Sequence, residues 1–312
     1  MLRVLRQSSV VLAALLLFGG AAVAAECAAP GATVAAPATG KLTLISWNVH
    51  GLPFDATREK RVDNVATEIR RLKPDLVLLQ EAWLAGTAEQ LDCRLRDLYE
   101  RLPDAAGVRS GLLSLYGHRR GGLLALVRRD SPWKADASVE HRFTEYDASG
   151  PWYRVFEERD GIAGKGVQSF GVSDGSTRIA VLHTHLQAQY PERRYEEVRA
   201  AQIGQLLEQA RQPGFDVMLV AGDLNTHAGE TALYGKLVAE LTDLTTDYRK
   251  ACGCGTLAGA IRRETDWIDY VLARPAAAVK VAWKVEQILN SGPDDPYSDH
   301  HGLWLEMKIG RP

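Results

Sequence analysis

A surplus of positive charge is missing from this chain: 37 Lys and Arg stand against 39 Asp and Glu in 312 residues, for a net charge of −2. It therefore lacks the basic footprint of a nucleic-acid binder, and nucleic acid is not the favoured partner on this ground. The short basic clusters at 58–61, 119–120 and 128–129 read as solvated faces or helix ends. Cysteine is scarce, with only Cys27, Cys93, Cys252 and Cys254. Cys252-Gly253-Cys254 has the spacing of a metal or redox pair, but no second pair or nearby histidine completes a zinc site. Beyond residue 25 no apolar run approaches the roughly 20 residues that cross a bilayer. Internal repeats and low-complexity tracts are absent from residue 41 onward.

What is present begins with an export signal. Arg3 and Arg6 precede an apolar core from Val10 to Phe18, and Ala22-Val23-Ala24 forms an A-x-A cleavage site. Residues 1–24 are read as a signal peptide, and the product is expected to be secreted or periplasmic. The alternative of a retained anchor meets an uncharged stretch, Val10 to Ala25, that is short for a span. Glu26 before Cys27 argues against a lipoprotein site. Residues 25–40, rich in Ala, Pro, Gly and Thr, are expected to be a flexible lead. Residues 41–312 are expected to form one domain, and the whole chain has ordinary globular values of 46% hydrophobic and 24% charged residues. Export permits disulfides. A bridge from Cys93 to Cys252 or Cys254 is expected, with Cys27 left in the lead.

Periodicity predicts strands over 41–48, 75–80, 122–127, 167–172, 178–185, 216–221, 267–273 and 302–309, and helices over 58–72, 87–99, 191–210 and 230–240. Pro74 ends the first helix and Pro191 suits the first turn of the third. Hairpin-linked strands mixed with crossover helices predict an α/β fold with mixed sheets.

Polar groups stand at the downstream ends of these apolar runs, where α/β sheets place their chemistry. They are Asn48, Glu81, His185, Asp223 with Asn225, and the closing Ser298-Asp299-His300. Oxygen ligands of this kind suit Mg²⁺, Mn²⁺ or Ca²⁺ better than zinc. Asp223 and Asn225, two apart in an extended chain, are expected to point the same way, one serving a water and the other a phosphate or metal. His183 and His185 share a face by the same alternation. His300 is the candidate base, since a carboxylate from Asp269 or Asp299 can fix its tautomer and raise its basicity. His301 is expected to be structural. His50, His118, His141 and His227 receive surface or core roles.

Six motifs follow one another in order: Trp47-Asn48, Gln80-Glu81, Thr184-His185-Leu186, Gly222-Asp223-Leu224-Asn225, Ile268-Asp269-Tyr270-Val271 and Ser298-Asp299-His300. In this the chain resembles the endonuclease/exonuclease/phosphatase superfamily from residue 41 to the C-terminus. The resemblance implies a deoxyribonuclease-I-like fold, a four-layer sandwich of two packed mixed β-sheets flanked by helices. Asp160-Gly161-Ile162-Ala163-Gly164-Lys165-Gly166-Val167 is similar to the Asp…Lys-Gly-Val segment of the neutral sphingomyelinase branch. By that resemblance the chain would be a secreted, divalent-metal-dependent phosphodiesterase, making ceramide and phosphocholine from sphingomyelin at a transiently contacted membrane surface. Asn48, Glu81 and Asp299 would hold Mg²⁺, with Mn²⁺ or Ca²⁺ as substitutes. His300 would be the base, Asp269 its orienting partner, His185 a donor to phosphate, and Asp223 and Asn225 the groups that place water and phosphate. Asp160 and Lys165 would form a loop pair that organises the site. Trp133, Trp152 and Tyr153 are candidates for lipid contact. A secreted nuclease, an inositide phosphatase and a non-catalytic binding module on the same fold are the competing readings.

Overall fold

A computed structural model describes residues 27, 29–31, 34, 36–37, 40–51, 57–102, 122–144, 164–189, 195–258, 266–288 and 297–311. Leu84 and Ala85 are described by backbone alone. The signal segment 1–24, Trp152, Tyr153, Asp160 and His118 lie outside the described residues.

Five helices and thirteen strands are described. The helices are α1 (Arg58–Leu72), α2 (Leu84–Leu95), α3 (Glu196–Ala210), α4 (Thr231–Val238) and α5 (Thr246–Cys252). The strands are β1 (Lys41–Asn48), β2 (Leu76–Gln80), β3 (Tyr99–Arg101), β4 (Leu124–Arg128), β5 (Lys134–Ala135), β6 (Val139–Arg142), β7 (Gly166–Ser173), β8 (Arg178–His185), β9 (Val217–Asp223), β10 (Thr242–Asp243), β11 (Asp269–Pro275), β12 (Lys280–Ile288) and β13 (Gly302–Gly310). They form one sheet in the order β12-β13-β1-β2-β4-β3 and another in the order β10-β11-β9-β8-β7-β5, with β6 also on β7. Both sheets are mixed: β1 and β2 run parallel, as do β8 and β9, while their other neighbours run antiparallel.

The period of two assigns each strand face. Ile45, Trp47, Val77, Leu79, Leu124 and Leu126 cluster with Val62, Val65, Ala66 and Ile69 of α1 and Leu91 of α2, which closes the outer side of the first sheet. Leu42, Leu44, Leu76, Leu78, Ala125 and Val127 belong instead to the larger core shared with the second sheet. There α3 and α4 add Ile203, Leu206, Leu207, Leu233 and Leu237. The result is helix, sheet, sheet, helix. Each fully buried Leu, Ile or Val in these rows contributes about 1.5–3 kcal/mol. Continuing the inward row past the apolar residues gives Ser46 and Asn48 on β1 and Gln80 on β2, all buried.

Several expected boundaries move for identifiable reasons. The second helix stops at Leu95, because Tyr99 pairs with Arg128 of β4 and donates its hydroxyl to Pro74 O at 3.1 Å. The third helix is described from Glu196, with Tyr195 left-handed (φ 52°) before it, and the expected start at Pro191 lies outside the described residues. β9 runs on to Asp223, paired on both sides.

The expected disulfide pairing is wrong: Cys27 bonds Cys93, and Cys252 bonds Cys254. Cys93 belongs to α2 on the outer side of the first sheet, whereas Cys254 Sγ faces Gln287 of β12, at that sheet's far edge from β3. The lead expected to be flexible is therefore fastened at Cys27, and again where Ala36 N donates to Asp130 O at 2.8 Å. Trp133, expected at a lipid surface, is 1% exposed and donates to Lys41 O at 2.8 Å; it is core.

Gly222 sits between Thr184 and Tyr270 with φ 146°, and a Cβ built there would lie 1.8 Å from Thr184 O. Only glycine lets β8 and β9 meet at the site end. Gly222→Ala is expected to lower the unfolding free energy by ~3 kcal/mol or more, read as a drop in the denaturant midpoint; an unchanged midpoint would contradict the packing described.

Candidate active site

The C-terminal ends of β1, β2, β8 and β9 meet the beginning of β11 and the approach to β13. Asn48, Glu81, His185, Asp223, Asn225, Asp269, Asp299 and His300 are gathered there. Asn48 ties the two sheets together: its Nδ2 donates to Glu81 Oε1 at 2.9 Å and to Asp223 Oδ2 at 3.0 Å, while its Oδ1 accepts from His50 N at 3.0 Å. Glu81 Oε2 also accepts from Trp83 Nε1 at 3.2 Å.

Of the two carboxylates offered for His300, the structure selects Asp269. Its Oδ2 lies 2.8 Å from His300 Nδ1, and Asp269 and Asp223 are cross-strand neighbours. His300 Nε2 then faces Asp223 Oδ2 at 3.8 Å. Asp299 turns the other way, onto His50 Nδ1 at 2.7 Å. Ser298 makes this divergence possible: its hydroxyl donates to Asn48 O at 2.6 Å and accepts from His300 N at 3.2 Å. Trp47 Nε1 holds His300 O at 3.0 Å.

Asp223 and Asn225 do not share an extended face. Asn225 is left-handed (φ 45°), its N donates to Asp223 Oδ1 at 2.9 Å, and its Nδ2 donates to Leu186 O at 3.0 Å. The chain folds back after Asp223 in an Asx-type turn, so the two side chains bracket the site. His50 (φ 45°) and Glu81 (φ 54°) are also left-handed. Three strained exits in one place are typical of a site held by its surroundings.

The titrating groups are pushed apart. For His300, burial lowers the pKa, but the charge and hydrogen bond of Asp269, with Asp223 and Asp299, outweigh it and carry the value well above 6.5. His185 goes well below 6.5, through burial first and then the charges of Lys165, His300 and His183. It stays neutral, with Nε2 3.5 Å from Asp223 Oδ2 and a buried Nδ1 that has no hydrogen-bond partner among the described residues. Burial and Asp269 raise Asp223 to about 7. Burial also acts to raise Asp299, but His50 and His300 bring it down to about 2. Paired carboxyl and imidazole groups with divergent pKa values are the pattern of acid–base chemistry.

Asp223, Asp269 and His300 offer ligand atoms within 4.8 Å of one another and could hold a metal ion; here Asp269 Oδ2 is engaged by His300 Nδ1. Glu81 Oε2 and Asp299 Oδ2 both approach His50 Nδ1, at 4.0 and 2.7 Å, and Glu81 also touches the Asn48 carboxamide; oxygen donors of this kind suit a hard divalent cation. Asn48 would join them by presenting Oδ1, which here accepts from His50 N.

Lys165 is not a surface turn residue. It is 2% exposed, and its Nζ donates to Leu186 O at 3.0 Å, beside His185. His301 lends its backbone N to Thr256 O at 2.7 Å. His227 lies 3.6 Å from Asp266, and His141 is on β6. The sequence reading missed His50, whose significance rests on Asp299 far along the chain. It also missed Trp83, whose indole reaches Glu81 only because the chain turns after β2.

The family model described as the Endonuclease/Exonuclease/phosphatase family matches residues 45–300. A Drosophila melanogaster protein provisionally named as a neutral sphingomyelinase is 25% identical over 289 residues, which is 86% of this chain and 61% of that protein. The chain thus spans about three-fifths of that curated relative's length. Among solved structures, D. rerio TDP2 complexed with single strand DNA product superposes with a TM-score of 0.64 at 18% identity, covering 86% of this chain and 98% of that one. Beta toxin 275-280 from Staphylococcus aureus does so with a TM-score of 0.60 at 18% identity, covering 85% and 99%.

The raised pKa of His300 is measurable by imidazole NMR. Wild type should titrate well above 6.5, and Asp269→Asn should bring the value down. Because the folded pKa is raised, the stabilisation it reports is complete below the unfolded value near 6.5 and lost as pH rises through the folded value. The stability gap between wild type and Asp269→Asn should therefore be widest just below pH 6.5 and close above it. A gap that widens with pH would contradict the pairing.

Proposed function

The chain belongs to the endonuclease/exonuclease/phosphatase family, hydrolases of phosphoester bonds, and on that premise we propose that it is a metal-dependent phosphodiesterase acting on sphingomyelin. The observation that carries the substrate reading is the alignment with the Drosophila relative over 289 residues, supported by the burial of Lys165 beside His185. Lys165 belongs to the segment that is similar to the neutral sphingomyelinase branch. Its partner in that reading, Asp160, lies outside the described residues.

In this reading His300 takes the proton of the attacking water on Nε2, while Asp269 holds Nδ1 and fixes the tautomer. Asp223 and Asn225 flank the water and the phosphate. Neutral His185 donates to a non-bridging oxygen; burial first, and Lys165 behind it second, keep the imidazole uncharged. Glu81, with Asn48 and Asp299, would hold Mg²⁺, with Mn²⁺ or Ca²⁺ as substitutes; when bound, the cation offsets charge on the phosphoryl and leaving oxygens. We further propose an oxidising compartment, secreted or periplasmic, which suits the disulfides Cys27–Cys93 and Cys252–Cys254. Among the described residues no helix is long and apolar enough to cross a membrane, so membrane contact would be at the surface.

The acidic balance of the chain carries no weight against nucleic acid. A protein of this fold, D. rerio TDP2, has been solved complexed with single strand DNA product, so DNA belongs in the test. The purified protein is to be given Mg²⁺ with sphingomyelin vesicles, single-stranded DNA or an inositide. Phosphocholine release should dominate and vanish with a chelator. His300→Ala should lose about 10²–10⁴-fold, the usual contribution of a general base, and His301→Ala far less. Lys165→Arg should depress turnover, since the buried ammonium on Leu186 O has no room for a planar fork. DNA cleavage exceeding sphingomyelin hydrolysis would overturn the substrate while leaving the family intact.

A further inference from the structure

The Cys-Gly-Cys element is the sequence motif that the reaction does not use. It stands immediately before the segment that holds the catalytic pair. Cys252 is exposed and Cys254 half-buried. Cys254 Sγ faces Gln287 Oε1 at 3.3 Å, and Gln287 Nε2 donates to Gly255 O at 2.8 Å. Gly255 lies so close to Asp266 that a Cβ there would sit 2.7 Å from its backbone N and O.

Thr256 follows, fully buried. Its hydroxyl accepts from Ile268 N at 3.1 Å and Asp269 N at 3.3 Å, and its carbonyl accepts from His301 N at 2.7 Å. Its own N donates to Asp266 O at 2.9 Å. Leu257 forms a β-bridge with His300, and Ala258 N donates to Asp299 O. One residue thus grips both the start of β11, which carries Asp269, and the segment leading into β13, which carries His300. His300 and Asp269 are 31 apart in sequence, and Thr256 fastens the backbone beside each.

We infer that Thr256 is a positioning residue for the Asp269–His300 pair and that the Cys252–Cys254 disulfide is a reducible clamp on it, an inference that rests on the phosphodiesterase reading. The disulfide fixes the turn from which 255–258 departs. A dithiol reductant would open it by thiol–disulfide exchange. Two electrons and two protons pass to the cysteines, leaving two thiols, and the reductant becomes its own disulfide. The turn then loosens, and the dyad loses registration with the water it activates. Misplacement on this scale costs on the order of 10²-fold in rate.

The test uses the full chain with Mg²⁺ and two probes, bis(p-nitrophenyl) phosphate and sphingomyelin vesicles, together with hydrogen exchange at the amides of Ile268, Asp269 and His301. Thr256→Val, which keeps the shape but removes the hydroxyl, should lower kcat by on the order of 10²-fold with little change in KM. It should speed exchange at Ile268 and Asp269, and Thr256→Ser should restore both. Reductant should lower kcat and speed exchange in wild type and in Cys27→Ala/Cys93→Ala. It should do neither in Cys252→Ala/Cys254→Ala, whose kcat should already be reduced. Unchanged kcat and exchange in Thr256→Val, a KM effect alone, or a reductant response lost with Cys27 and Cys93 instead would overturn the inference. Exchange is read without substrate, so failure to cleave sphingomyelin would count against the substrate reading alone.

Discussion

Asn48 is the side chain on which the rest of the site depends. It is the last residue of the central strand of one sheet, and its amide nitrogen donates to a carboxylate from each side of the interface. Buried carboxylates close together repel and are costly to desolvate. A neutral donor between Glu81 and Asp223 lets two sheets converge on acidic ends without a fixed positive charge at that point. The inward row of β1 leads to this residue: Leu42 and Leu44 pack the shared core, Ser46 begins the polar change, and Asn48 completes it.

Around this contact the two imidazoles are driven to opposite protonation behaviour by what surrounds them. His300 is ringed by Asp269, Asp223 and Asp299 and holds protons strongly. His185 is packed against Trp83 with ring centroids 6.4 Å apart, near Lys165, and sheds its proton. Opposite protonation preferences are thus obtained from the same residue type by environment alone.

Much of this was legible from residue order. The bounds of β1, α1 and β8 are those the periodicity predicts, because each has an uninterrupted apolar pattern and a clear stop. The strand-end polar residues do converge. β12 escaped because its outer residues, among them Ala282, Trp283 and Lys284, show no alternation of burial. Tyr99 was absorbed into a helix because its strand pairing is a tertiary fact. The disulfides were misassigned because composition fixes the number of cysteines and not their neighbours. His50 and Thr256 stayed silent for a related reason: each acts through partners that only the fold brings near. Asp223 and Asn225 were misread because two residues of spacing mean a shared face only while the strand continues.

The last strand has a consequence for biosynthesis. β13 pairs along β1 from Lys41↔Lys308 to Ser46↔Leu303, and the residues leading into it carry Asp299 and His300. The strands β1 and β13 are therefore neighbours although far apart in the chain, and His300, proposed above as the proton acceptor, follows the other strand-end residues of the site in sequence. A nascent chain that has reached β11 holds Asn48, Glu81, His185 and Asp223 but has no imidazole opposite Asp269, and β1 still has an open edge. Completion of the Asp269–His300 contact and pairing of that edge of β1 therefore depend on the same segment, so a chain cut before it would lack both at once.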